Sequence, residues 1–192
     1  GGNPPRPRSR GWLVRDFARG TATSAHFASG PAAVDGYGPF NALFWDGGSL
    51  VHASNHPRTA HHRVEPGVHA MSNGAFDAPW PKSMAATQAL AAWLDASSGS
   101  NTPPESMDAL APLFTALADT TPAPDEALPD TGVGIELERV LSPPFILGAE
   151  YGTRCSSVVL VAEDRIVFAE RRYGPSGVST GEHLACIPLQ GA

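Results

Sequence analysis

Cysteine is nearly missing from this chain of 192 residues: only Cys155 and Cys186 are present. Two are too few for a disulfide scaffold or a four-cysteine zinc site. They read as reduced thiols buried in strands; Arg154 beside Cys155 can lower its pKa, but a buried thiol is favoured over a reactive one. Basic charge is scarce as well. Thirteen Lys and Arg stand against 19 Asp and Glu, a net charge of -6, so no cationic field draws the protein to phosphate backbones and nucleic acid is not an expected partner. No apolar run approaches the roughly 20 residues that span a bilayer. No signal peptide opens the chain, and a cytoplasmic protein is expected. Nucleotide and nucleophile motifs are missing too: there is no Gly-x-Ser-x-Gly elbow, no Gly-x-Gly-x-x-Gly turn and no phosphate-binding Gly-Lys-Ser loop.

What is present describes a globular domain. Hydrophobic residues make up 42% and charged residues 17%, far from a disordered acidic chain or a charged coiled coil. The expected organisation is a disordered arm over residues 1–8, rich in Pro and Arg, followed by one domain over residues 9–192. Arg6-Pro-Arg-Ser-Arg10 reads as a flexible, solvated terminus rather than a nucleic-acid-binding arm. Lipidation is disfavoured because Pro5 stands where a myristoylation signal needs Ser or Thr.

Spacing predicts the elements. Ser9 can cap a helix over Gly11–Arg19 that puts Trp12, Leu13 and Phe17 on one helical stripe and stops at Gly20. A short helix over Thr23–Ser29 follows. Phe40–Trp45, apolar on both faces apart from Asn41, predicts a strand covered on both sides. Asp46-Gly47-Gly48 supplies a hairpin turn to a strand over Ser49–Ser54, and a third strand is expected at Val68–Ser72. Two helices, Met84–Leu94 and Met107–Ala118, flank a Ser97–Pro104 linker; Leu90, Trp93 and Leu94, and then Leu110, Leu113, Phe114 and Leu117, form their apolar stripes. Thr120–Gly134 reads as loop, Glu136–Leu141 as a helical turn or two. Three strands close the chain, Thr153–Ala162, Arg165–Arg172 and His183–Leu189. Short hairpins imply antiparallel sheets with helices layered on them. Phe40, Phe44, Val159, Leu160 and Val161 are expected in the core.

Five of the seven histidines, His52, His56, His61, His62 and His69, fall between positions 52 and 69. His52 and His56 have a zinc-helix spacing, but Pro57 and the strand pattern remove its geometric meaning, so these read as solvated loop histidines rather than a metal or haem site. Two other polar residues border apolar segments. Asn73 ends one at Met-Ser-Asn-Gly and Arg154 opens one at Tyr-Gly-Thr-Arg-Cys, and each can point from a strand end into a cleft. Residue type alone favours the plainer reading, an Asx turn at Asn73 and a structural carboxylate partner for Arg154.

Several strings then carry a resemblance: Phe40-Asn-Ala-Leu with Asp46-Gly47, Ser54-Asn55, Pro66-Gly67-Val-His-Ala-Met-Ser-Asn73, Asp77-Ala-Pro-Trp-Pro-Lys82, Leu128-Pro-Asp-Thr-Gly-Val-Gly134, Glu138-Arg139 and Tyr151-Gly-Thr-Arg-Cys-Ser-Ser157. In order and spacing, over about Ser9 to Glu182, they resemble the NRDE family, which includes transport and Golgi organization protein 2 homologues. The resemblance implies an α+β fold of stacked antiparallel sheets flanked by helices, similar to the N-terminal-nucleophile hydrolases and incomplete at its N-terminus. Family members begin with a Cys after the initiator Met and carry an Asn-Arg-Asp-Glu string; this chain starts at Gly1, just before the family's first helix. The implied chemistry is amide hydrolysis by that Cys, with Asn73 matching the oxyanion donor and Arg154 the arginine at the floor of one shared cleft; the chain as given is expected not to catalyse it. The alternative that the resemblance implies is a non-catalytic handler of haem, acyl-CoA or lipid. No cofactor or metal is expected. A small-molecule amide, haem or acyl-CoA is the expected ligand class, and a homo-oligomer through an exposed sheet edge is the expected assembly.

Overall fold

The computed structural model describes residues 8–30, 36–99 and 103–189; most of the N-terminal arm therefore lies outside the described residues. The chain divides into two units, Gly1–Gly67 with Met71–Phe76, and Val68–Ala70 with Asp77–Ala192. No described helix is long and apolar enough to cross a membrane.

In the first unit, helix α1 (Arg10–Arg19) starts where Ser9 accepts a hydrogen bond from the Gly11 N–H and ends at Gly20. Helix α2 (Ser24–Ser29) is capped by the Thr23 hydroxyl, which accepts from His26. Both pack on an antiparallel sheet in the order β1 (Asn41–Trp45), β2 (Leu50–Ser54), β3 (Ala60–Arg63). Leu13, Ala28, Tyr37, Phe40, Phe44, Val51 and Ala53 form its buried core. Phe17, Phe27 and Phe44 meet edge to face or tilted, with centroids 5.0 to 5.2 Å apart, a geometry that adds about 0.5–1.5 kcal/mol per pair to area burial.

Two expectations change here. The third strand lies at Ala60–Arg63, while residues 68–72 are irregular. Its sequence, Ala-His-His-Arg, is exposed throughout and has no apolar alternation to read; pairing with β2, Ser54 opposite Ala60 and Val51 opposite Arg63, is what makes it a strand. Strand β1 buries only Phe44, whereas Leu43 and Trp45 are exposed, so its second face is left open at these two apolar positions.

The second unit begins with helix α3 (Pro81–Ser97), longer than the Met84–Leu94 expected, with Pro81 pre-set for the first turn. Helix α4 is shorter than expected, Ala111–Leu117. Pro112 has no N–H and its ring clashes with a helical carbonyl four residues back, so the α-helix starts there, and Met107–Leu110 form turns. The Ser106 hydroxyl still caps that turn, accepting from the Ala109 N–H. Helix α5 spans Ile135–Leu141. The sheet order is β4 (Cys155–Val161), β5 (Arg165–Tyr173), β6 (Ser179–Pro188), all antiparallel. Its helix-facing side joins Val158 and Ala169 to Leu110, Leu113 and Phe114, with Leu90, Trp93 and Leu160 packed alongside; Leu94 is exposed instead.

Alternation corrects the core list. Successive strand side chains point to opposite faces, so Ser156 and Val158 are buried and Leu160 half-buried, while Val159 at 55% and Val161 at 48% are exposed. Cys155 lies on that same outward face, and Cys186 on the edge strand β6; both thiols are in strands, as expected, but exposed rather than buried. The architecture is therefore α+β, with two antiparallel three-stranded sheets and several helices.

Candidate functional site

Most polar residues in the strings described above are engaged in holding the chain together. Asn55 accepts from the Phe40 N–H at 2.9 Å and donates to the Tyr37 carbonyl at 3.3 Å. Asp46 accepts from four groups: the N–H and hydroxyl of Ser24 at the start of α2, and the N–H groups of Gly48 and Ser49 in the β1–β2 turn. These donors, the Ser24 N–H foremost, hold its carboxyl well below the usual carboxylate range. Asp77 binds the Ala70 N–H at 2.8 Å and the His69 ring at 2.7 Å.

In the second unit, Lys82 donates to the Leu141 carbonyl at the end of α5 at 2.8 Å. Burial pushes its ammonium pKa down, against the opposing pull of the Glu138 charge. Glu138 is itself buried and binds Thr131. Arg139 makes a two-pronged bond to Asp125, at 2.7 and 2.6 Å, and reaches Glu136. Thr153 closes the loop 146–153 reciprocally: its N–H donates to the Ile146 carbonyl and its hydroxyl accepts the Ile146 N–H, each at 2.9 Å.

Asn73 and Arg154 differ from these. Asn73 sits in the first unit, in an irregular segment rather than at a strand end, and is exposed. No described residue hydrogen-bonds its carboxamide, so the Asx turn that residue type allows does not form. Its segment is nonetheless held: the Asn41 carboxamide on β1 donates to the carbonyls of Ser72 at 2.9 Å and Gly74 at 3.0 Å. Arg154 belongs to the second unit, one residue before β4. Its carbonyl accepts from the Tyr173 N–H at 2.8 Å, fixing the backbone, while the guanidinium is exposed with no carboxylate partner among the described residues. Both side chains are thus presented from anchored backbone with their hydrogen-bonding capacity unspent. Chemically, one offers a neutral donor–acceptor pair, the other a planar cationic fork suited to carboxylate or phosphate oxygens.

The histidines divide differently from the expected solvated loop. His52 is buried in β2, with its ring 4.7 Å from Phe76 and 5.0 Å from His62; His61 and His62 are exposed on β3. Among the described residues no group of three or more His, Cys, Asp or Glu side chains is placed to hold a metal ion. Sequence reasoning missed the part played by Asn41, although its signal was visible: it is the one polar residue in an otherwise apolar strand.

No curated protein matches this chain. The family model for transport and Golgi organisation 2 matches residues 2–175, which spans the first unit, the α3–α5 segment and the first two strands of the second sheet, and so the chain belongs to the transport and Golgi organisation 2 family.

Proposed function

We propose that this chain recognises a small acyl compound through its amide or thioester carbonyl, in a protein of amidohydrolase-like descent. Asn73, in the first unit, is assigned the carbonyl oxygen or the oxyanion derived from it; Arg154, in the second unit and taken by itself, is assigned an anionic group. The observation that carries this reading is the contrast just described: the polar residues around them are spent on internal bonds, whereas these two are exposed, anchored and unengaged. A carboxamide and a guanidinium bind and polarise; bond cleavage needs a nucleophile, and of the two exposed strand cysteines Cys186 has its thiol pKa pushed up by desolvation and by the adjacent Glu105 carboxylate, away from the reactive thiolate.

Non-catalytic carriage of acyl-CoA, lipid or haem is the second reading. The outward face of β4–β6, where Val159, Val161 and Ile187 are exposed, favours its acyl form, since an aliphatic chain lies well on such a surface. Titration calorimetry with N-octanoylglycine, octanoyl-CoA and haemin separates the readings. Saturable binding of N-octanoylglycine, weakened several-fold by Asn73→Ala or by Arg154→Ala, supports the first. Binding of octanoyl-CoA or haemin that neither change affects supports the second, and binding of none of the three removes both.

A further inference from the structure

Strand β1 contains one residue whose type its neighbours do not explain. Ala42, Leu43, Phe44 and Trp45 are apolar, but the strand opens with Asn41, half-buried opposite the buried Ser54. A half-buried carboxamide must satisfy its two N–H donors. Both go to one short segment, to the carbonyls of Ser72 and Gly74, on either side of Asn73.

We infer that Asn41 is the positioning residue of the Asn73 segment, turning the peptide planes on both sides of Asn73 so that the segment presents donors outward. The geometry follows from the planarity of the peptide bond. In a trans peptide the carbonyl and the following N–H point in opposite directions. With the Ser72 and Gly74 carbonyls drawn toward Asn41, the N–H groups of Asn73 and Ala75 face away from it. Neither N–H donates to any described residue. The segment therefore holds two backbone donors and the Asn73 carboxamide in one stretch of three residues, and the group this suits is an oxygen carrying negative charge, a carboxylate or an oxyanion. Without the clamp those peptides rotate freely, because residues 68–75 have no sheet or helix of their own. The inference rests on the proposed role of Asn73 and adds the residue that orients it.

Asn41→Asp is the decisive variant, since it keeps the shape and removes both donors. Asn41→Ser, which retains one hydroxyl donor, is the milder companion if the carboxylate prevents folding. Nitrogen-15 relaxation is measured at the amides of residues 72–75 and of β1–β3 in the full chain, and N-octanoylglycine is titrated into each variant and into Asn73→Ala. The expected result is loss of order confined to residues 72–75, graded from Ser to Asp, with affinity falling about 3- to 10-fold, as expected for the loss of one or two net hydrogen bonds. An ordered segment in Asn41→Asp and Asn41→Ser overturns the inference. So does a loosened segment that binds the probe as the unaltered chain does while Asn73→Ala binds it poorly. If Asn73→Ala binds as well as the unaltered chain, it is the functional reading that fails, and the relaxation data alone decide the clamp.

Discussion

Glu138 accepts two hydrogen bonds from Thr131, seven residues earlier in the chain, one from its N–H at 2.7 Å and one from its hydroxyl at 2.5 Å. The carboxylate lies on α5 with only 6% of the residue exposed, so it fastens the loop preceding the helix to the helix's buried side. Glu138→Ala leaves two donors without their acceptor and is expected to cost about 1–3 kcal/mol. Glu138→Gln keeps one carbonyl oxygen in place and is expected to cost less. Urea unfolding followed by tryptophan fluorescence gives both values; equal midpoints for Glu138→Ala and the unaltered chain would remove the role.

Asp46 sets an acid limb to the stability of the first unit. Its folded pKa lies well below the unfolded value of about 3.9. The stabilisation is therefore fully present above about pH 5 and is lost as pH falls below about 4 toward the folded pKa, because the unfolded chain takes up the proton first. Thermal midpoints of the unaltered chain should fall through that range. Asp46→Asn should start lower at pH 7 and lose less on acidification, and parallel curves for the two proteins would contradict this.

The loop before Arg154 admits no side chain at two glycines. A Cβ on Gly152 would stand 2.7 Å from the Ile146 carbonyl oxygen, and one on Gly148 would overlap the Tyr151 carbonyl. Both obstacles are backbone atoms and cannot swing aside. Gly152→Ala should destabilise by about 1–3 kcal/mol. Gly38→Ala, where the added carbon meets nothing within 4 Å, is the control expected to stay within about 0.5 kcal/mol. Comparable losses in both would show that the loop adjusts.

Strand β4 has an edge that pairs with no strand among the described residues, and its sequence, Cys-Ser-Ser-Val-Val-Leu-Val, carries no charge or proline. Such an edge is a template for pairing with another chain. Concentration-dependent self-association is expected in sedimentation velocity. Val159→Lys should suppress it with little loss of stability, since Val159 is already exposed, whereas Val158→Ala should cost about 0.5–2.5 kcal/mol through lost packing. A monodisperse monomer at high concentration would contradict the edge argument.

Asn73→Ala and Arg154→Ala should each cost under about 1 kcal/mol, the range for exposed residues with no internal partner. A larger loss on urea unfolding would mark the residue as structural and withdraw it from the candidate site.

The sequence by itself determined what depends on short-range chemistry. Ser9, Thr23 and Gly20 set helix ends because caps act within one turn, and Asp46-Gly47 turned the first hairpin because few residue pairs adopt that geometry. The strings around Asn73 and Arg154 were legible as strings. Only the tertiary structure decided which polar residues in them are spent. Thr131 and Glu138, Asn41 and Gly74, and Asp46 and Ser24 meet through contacts that spacing does not encode. It also decided the third strand, since Ala60–Arg63 is a strand by pairing and not by pattern. And it separated Val158 from Val159, because a run of apolar strand residues names neither face until a helix packs against one of them.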